Sequence, residues 1–129
     1  SNICTNSGLC ALAFSIHMSL LGEAGLVKLA RLNHARACKL ADALANVTGV
    51  RLLNKTFFNE MTIRLPTAAA PVVELLAQAE ILAGVPVSRL LPEDPACANL
   101  LILAATELTT DDDIEMLAEC LVAALSADQ

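Results

Sequence analysis

An apolar stretch near the start of the chain constrains the fold more than any other feature of the sequence. Between Gly8 and Leu21 the only polar side chains are Ser15, His17 and Ser19. A helix over this stretch has no polar face, so we expect protein to cover it on all sides. With about 14 residues it is shorter than the roughly 20 apolar residues that cross a bilayer, so we expect no membrane span.

The rest of the composition favours a packed core and excludes several classes of protein. Hydrophobic residues make up 56% of the 129 residues and charged residues 17%, which excludes intrinsic disorder and predicts one domain. The net charge is −6, with 8 basic residues scattered among 14 acidic ones. Without a basic patch, nucleic acid is not an expected partner.

The start of the chain and its cysteines indicate a cellular setting. Neither an initiator methionine nor the basic segment of a signal peptide precedes the apolar stretch, so we expect a piece of a longer cytoplasmic chain. The five cysteines have irregular spacings, which favours reduced thiols. Cys4 precedes a helix whose dipole could make its thiol reactive, but its apolar neighbours favour a structural role. Whether Cys4 pairs with Cys10 is left open.

Apolar residues recur every three or four positions after Gly22, which predicts an amphipathic helix over residues 23–46 with a basic polar face. Gly22 and Gly25 loosen its junction with the first helix, and Gly49 suits the left-handed turn that ends it. From residue 50 onward, the apolar residues recur with a period near two. It predicts strands at residues 50–53 and 57–65, joined by a turn at 54–56, with Met61 and Ile63 on the apolar face of the second strand.

The second half of the chain alternates between helices and extended segments. Thr67 is the predicted cap of a helix that reaches Leu82 and is closed by Gly84, and residues 85–91 are extended or irregular around a proline. The apolar run at 99–105 predicts a central strand buried on both faces. Thr110, with Asp113 three positions later, has the pattern of a capping box at the start of the last helix.

This order of elements predicts an α+β fold in two layers, with helices packed on a small, mainly antiparallel sheet. Residues 1–129 form one domain on this interpretation, with a helical segment at 1–47 and an α+β sandwich at 48–129.

Motifs for catalysis, cofactor binding or metal binding are missing from the sequence. The five glycines are isolated, there is no C-x-x-C, and the two histidines have no metal-ligand spacing, so we predict no catalytic, cofactor-binding or metal site. We expect His17 to be a core histidine or to lie at an interface. The acidic residues 111–113 are predicted to stabilise a helix start. Lys28, Lys39 and Lys55 fall on an exposed helix face or in a turn, where a cofactor lysine is not expected.

Five segments of the chain resemble the glycine cleavage system P-protein family (glycine decarboxylase). They are SNICTNSGLCAL, SLLGEAGLVKLARLNHARACKLADAL, LLNKTFFNEMTIRLP, AEILAGVPVSRLLPE and LLILAATELTTDDDIEMLAECL. The opening segment and NKTFFNE are the more specific. The resemblance places the chain at the C-terminal part of glycine dehydrogenase (decarboxylating) subunit 1, which corresponds to the N-terminal half of the long form. It implies the small C-terminal domain of the pyridoxal-phosphate-dependent transferase fold (fold type I).

The resemblance implies that the parent enzyme, of which this chain would be a part, has the activity of the family. That enzyme decarboxylates glycine through pyridoxal phosphate and passes the aminomethyl group to the lipoyl arm of the H-protein. The fragment alone is expected to be structural and inactive, with the Schiff-base lysine outside this chain. The implied partners are the remainder of subunit 1, the second P-protein subunit and, for the parent complex, the lipoyl H-protein.

Two other interpretations stay open at this point. The chain could be an independent interaction domain that uses its apolar helix as a contact surface. It could also be the small domain of another pyridoxal-phosphate enzyme such as an aminotransferase. That alternative requires an arginine for the substrate carboxylate, for which Arg51, Arg64 and Arg89 are available.

Overall fold

The structure is a computed structural model that describes residues 7–126, and Cys4 with the rest of residues 1–6 lies outside the described residues. The helices are α1 (Gly8–Ala45), α2 (Ala69–Gln78) and α3 (Asp111–Ser126). The strands are β1 (Arg51–Leu52), β2 (Glu60–Arg64), β3 (Val85–Pro86) and β4 (Leu100–Ala104). Short 3₁₀ turns occupy Val87–Arg89 and Pro95–Cys97. The chain divides into two compact units, Ser1–Arg31 and Leu32–Gln129, and each is described by itself.

In the first unit, the helical path is interrupted at Gly22. This residue has φ 59° and ψ −174°, a conformation that glycine adopts without steric cost, as the sequence predicts for this junction. By length and composition α1 could cross a membrane, since its most apolar 18-residue window has a mean hydropathy of 1.5. The interruption leaves about 14 residues before Gly22, or roughly 21 Å of helix, against about 30 Å of bilayer hydrocarbon. We therefore retain the prediction that this segment contacts protein.

In the second unit, four strands form one antiparallel sheet in the order β1-β2-β4-β3. The long central pairing joins β2 to β4, with Met61 opposite Leu103 and Ile63 opposite Leu101. β3 pairs with the other side of β4, so the prediction of a central strand here is confirmed. Pro86 lies on an edge strand, where its missing N–H group is tolerated.

One face of the sheet packs against all three helices and forms the core of the second unit. Met61, Ile63, Leu101 and Leu103 alternate along β2 and β4 and are each 1% exposed. The helices contribute the following buried side chains to the same cluster: Ala37, Leu40 and Leu44 from α1, Val72 and Leu76 from α2, and Ile114, Leu117 and Leu121 from α3. The observed fold is therefore the predicted two-layer α+β arrangement.

The opposite face of the sheet is only partly covered, so the prediction that β4 is buried on both faces is wrong. Along β4, Leu100 and Ile102 are half-buried and Ala104 is exposed. All three helices contribute to the core on the other face. A continuous apolar run predicts a doubly buried strand only when both faces are covered. On the uncovered face, the apolar run of β4 forms a partly exposed apolar strip.

The region around α2 differs from the sequence prediction at both ends of the helix. The N-cap residue is Ala68 rather than Thr67, and the side chain of Ala68 makes no capping hydrogen bond. The helix ends at Gln78, and Glu80 with φ 61° makes the turn that was expected at Gly84. Leu82 lies beyond the helix and is 96% exposed.

Gly84 instead allows close approach between β3 and β4. A Cβ atom on Gly84 would lie 2.1 Å from the carbonyl oxygen of Ile102, so only glycine fits there.

Three other local predictions are confirmed. Gly49 follows α1 with φ 84°, a left-handed conformation that suits glycine. The Thr110 hydroxyl accepts a hydrogen bond from the Asp113 backbone N–H at 3.1 Å, and the Asp113 carboxylate accepts one from the Thr110 N–H at 2.8 Å, which completes the capping box. In the turn after β1, the side chain of Asn54 accepts a hydrogen bond from the Thr62 N–H at 2.7 Å.

Candidate functional site

The described part of the first unit presents an apolar surface. Leu9 and Leu20 are 79% and 81% exposed, and Leu12, Phe14 and Ile16 are each more than half exposed. Exposing so many large apolar side chains is costly in water, and such patches mark contact sites. The expected cover on all sides is therefore not present in the described chain.

The polar residues of this helix do not give it a hydrophilic face. The hydroxyl of Ser15 donates to the carbonyl oxygen of Ala11, and the hydroxyl of Ser19 donates to that of Ser15, each at 2.8 Å. Both donors are therefore used within the helix. His17 is exposed, so the interpretation of a core histidine is wrong, while an interface position stays a prediction.

The three lysines lie on the surface. Lys28 and Lys55 are exposed. The Nζ atom of Lys39 donates to the two carboxylate oxygens of Asp111 at 3.0 and 3.1 Å, and its side chain is 58% exposed. A Schiff-base lysine needs a free amine within a pocket. None of the three lysines is therefore placed to form a Schiff base with pyridoxal phosphate.

Asp111 joins the start of α3 to the basic face of α1. Its carboxylate accepts hydrogen bonds from Lys39 and from Arg36, and these contacts lower the pKa of Asp111. The neighbouring Asp113 also has a lowered pKa, because its carboxylate accepts hydrogen bonds from Thr110. The capping contacts confirm the helix-start role of Asp113, whereas the contacts of Asp111 join α3 to α1, and its helix-start role stays a prediction.

The three candidate carboxylate-binding arginines have different surroundings. Arg89 is paired with Glu74. Arg64 donates to the side chain of Asn99 at 3.2 Å. Arg51 lies directly opposite Arg64 in the β1–β2 register, so two cations are neighbours on the open face of the sheet. The sequence could not reveal this juxtaposition because it depends on strand register.

Four cysteines fall within the described residues, and all are free: Cys10, Cys38, Cys97 and Cys120. Burial raises the pKa of Cys97, and a hydrogen bond to Asp94 raises it further, so the neutral thiol is favoured. Reduced thiols were expected. The possible roles of Cys4 remain predictions.

A contact between Cys38 and His34 was missed by the sequence analysis. The thiol Sγ lies 3.6 Å from His34 Nε2, and the other ring nitrogen, Nδ1, lies 2.8 Å from the carbonyl oxygen of Phe58. Both residues are on α1, and a spacing of four places their side chains on the same helix face. That spacing of four was the sequence signal from which the contact could have been predicted.

One depression of the second unit is open and largely apolar. It measures about 340 Å³, and Leu82, Leu108 and Met116 lie exposed along its lining. Its carboxylates include Asp113, which is already engaged in the capping box. Between residues 7 and 126, no group of three histidine, cysteine or acidic side chains is placed to hold a metal ion. This depression therefore shows no arrangement for acid–base or metal chemistry among its described lining residues.

Comparison with known proteins identifies relatives over nearly the whole chain. The sequence pattern of the family "Glycine cleavage system P-protein" matches residues 1–121. The "Probable glycine dehydrogenase (decarboxylating) subunit 1" of Rhodospirillum centenum is 65% identical over 117 residues, which are 91% of this chain and 26% of that protein. The chain thus spans about a quarter of the length of the curated relatives it matches.

Solved structures agree with the sequence relatives. A crystal structure of glycine decarboxylase (P-protein) of the glycine cleavage system, in inhibitor-bound form, superposes with a TM-score of 0.84 at 36% identity. The match covers 97% of this chain and 28% of that one. A mutant of the lyase C-DES with glycine linked to its pyridoxal-phosphate cofactor shares the fold, with a TM-score of 0.57 at 13% identity over 71% of this chain and 23% of that one. The described chain is a small α+β domain, and by sequence it belongs to the glycine cleavage system P-protein family.

Proposed function

We propose that this chain is the C-terminal part of a glycine decarboxylase subunit 1, which corresponds to the N-terminal half of the long, single-chain form. The observation that carries this proposal is the 65% identity to a relative named as subunit 1. The chain matches about a quarter of that relative, which supports its being part of a longer protein, and a single domain over residues 1–129 remains part of the proposal.

The activity proposed for the parent enzyme is decarboxylation of glycine, followed by transfer of the aminomethyl group to the lipoyl H-protein. On this proposal the residues that hold pyridoxal phosphate lie outside this chain. The exposed positions of Lys28 and Lys55, and the engagement of Lys39 with Asp111, support that assignment. The cytoplasm is the proposed location, in keeping with free thiols at the described cysteines.

The role proposed for this chain is to pack against the remainder of subunit 1 and the second P-protein subunit. The apolar surface of the first helix supports this role, because its leucines and phenylalanine gain most from being removed from water. Fully burying one such side chain stabilises a contact by roughly 1.5–3 kcal/mol. A few of them are enough to hold a structural interface.

The test replaces one of these side chains with a charge and measures assembly and activity together. Leu20→Glu is introduced into the full-length subunit and co-expressed with the second subunit. We expect weaker co-purification and loss of glycine-dependent carbon dioxide exchange, since the carboxylate would have to be buried without a partner. Leu108→Glu is the matched control, because Leu108 is 80% exposed and lies outside the helix.

Wild-type assembly and exchange in Leu20→Glu would contradict the proposed role. A second candidate, an independent interaction domain, is favoured by the same exposed helix. It predicts that Leu20→Glu leaves carbon dioxide exchange unchanged but abolishes binding to a different protein. Reconstitution of exchange from this chain and the missing portions therefore separates the two candidates.

A further inference from the structure

Cys38 and His34 form an oriented pair on α1 that the proposed function does not use. Cys38 Sγ lies 3.6 Å from His34 Nε2, within the usual range for a hydrogen bond to sulfur. Cys38 is half-buried and His34 is exposed, so small molecules in solvent can approach the pair. A thiol beside an imidazole is the arrangement by which proteins activate a cysteine nucleophile.

The carbonyl group of Phe58 determines which nitrogen of His34 carries the proton. This oxygen lies 2.8 Å from Nδ1 and can only accept a hydrogen bond, so neutral His34 must donate through Nδ1–H. Its Nε2 atom then has a free lone pair directed at Cys38. The pair therefore contains a base already oriented toward the thiol proton, with a third group holding the base, which is the usual logic of an activated nucleophile.

Two aromatic rings further restrict the imidazole. The ring of Phe58 is nearly parallel to it, at 11° and a centroid distance of 6.2 Å, and the ring of Phe57 is tilted by 56° at 6.0 Å. With the Nδ1 hydrogen bond, these contacts keep Nε2 facing Cys38. Cys120 is a useful comparison, since it is also free and half-buried but has no described histidine contact.

We propose that Cys38 is a nucleophilic thiol that hydroperoxides modify, with His34 as its base. His34 Nε2 takes the thiol proton, and the sulfur attacks one oxygen of hydrogen peroxide. An S–O bond forms as the O–O bond breaks. The sulfur is oxidised to a sulfenic acid, and the departing hydroxide takes the proton from the imidazolium and leaves as water. One thiol and one peroxide thus give one sulfenic acid and one water.

The test compares two cysteines of the full-length protein under the same conditions. The protein is treated with hydrogen peroxide in the presence of dimedone, and peptide mass spectrometry follows the trapped sulfenic acid at Cys38 and Cys120. We expect the initial rate at Cys38 to exceed that at Cys120 by about tenfold or more, a modest share of what a positioned base contributes.

The matched variant is His34→Asn. Its amide can still donate to the Phe58 carbonyl but cannot take a proton from the thiol. The rate at Cys38 should fall about tenfold, toward that of Cys120, while the rate at Cys120 stays constant and reports an intact fold. Equal rates at the two cysteines of the wild-type protein overturn the proposal, as does an unchanged Cys38 rate in the variant. If both rates rise, the variant has unfolded, and the wild-type comparison alone decides.

Discussion

Replacing Gly84 with alanine should separate the edge strand β3 from the rest of the sheet. The added Cβ atom would lie 2.1 Å from the carbonyl oxygen of Ile102 and 3.2 Å from the Cδ2 atom of Leu103. Carbon and oxygen normally approach to roughly 3.3 Å, so the backbones must move apart by about 1 Å. The backbone at Gly84 and the backbone at Ile102 cannot move aside as the end of a flexible side chain can. The pairing of Val85 with Ile102 and of Pro86 with Leu101 is therefore weakened.

The expected loss of stability follows from three contributions. Overpacking at a tight contact costs about 1–3 kcal/mol, and each ladder hydrogen bond lost costs about 1 kcal/mol. Alanine also restricts the unfolded chain, which stabilises the protein by roughly 0.4–1 kcal/mol. The steric contributions are larger, so we expect Gly84→Ala to lower the free energy of unfolding by about 2–3 kcal/mol.

Urea unfolding followed by circular dichroism measures this change. For a slope of about 1–3 kcal/mol per molar, the midpoint should fall by about 0.7–3 M. Gly25→Ala is the control, because its Cβ would lie 3.1 Å from the Cβ of Leu21, a much smaller overlap than at Gly84, within a helix that favours alanine. We expect a loss of stability in that variant well below the loss in Gly84→Ala. A Gly84→Ala midpoint equal to that of the wild-type protein would refute the close-approach argument.

Three further predictions concern the core and the start of α3. Leu103→Ala should lower the free energy of unfolding by about 2–5 kcal/mol, because Leu103 is 1% exposed, whereas Leu91→Ala, at a side chain 53% exposed, should cost less than about 1 kcal/mol. Equal losses in urea would contradict the assigned core. Thr110→Ala should cost about 1 kcal/mol by removing the cap of α3, and an unchanged melting temperature would argue against the capping box. Asp111 has a pKa lowered from 3.8, so its ion pairs stabilise the folded chain above that pH and lose this effect as the pH falls through the folded-state value. The melting temperature of Asp111→Asn should therefore lie below that of the wild-type protein at pH 7, and the difference should shrink as the pH falls below 3.8. A difference that stays constant as the pH falls below 3.8 would rule this out.

The local predictions succeeded where neighbouring residues carry the whole signal. The capping box needs only Thr110 and Asp113, three positions apart, and the turn at Gly49 needs only a residue that tolerates positive φ. The alternation of Met61 and Ile63 with polar residues was enough to assign the buried face of β2. The end of α2 was misplaced because Glu80, which is not a typical residue for the left-handed region, makes the turn.

Much less of the candidate sites could be predicted from residues that are neighbours in the sequence. The apolar helix was recognised from composition alone, but only the structure shows that its leucines are exposed in the described chain. The opposition of Arg51 to Arg64 depends on strand register. The contact of His34 with the Phe58 carbonyl joins residues 24 positions apart, and the pairing of Arg36 with Asp111 joins residues 75 positions apart.

Sequence by itself determined most of the secondary structure, the two-layer class and the family resemblance of this protein. Helix periods, strand alternation and caps arise from groups within about four residues of one another, and these can be read along the chain. Tertiary structure decided which carbonyl group holds His34, which glycine admits a neighbouring backbone and which face of the sheet stays open. Those features depend on how distant segments pack in space, and their spacing along the chain carries no comparable signal.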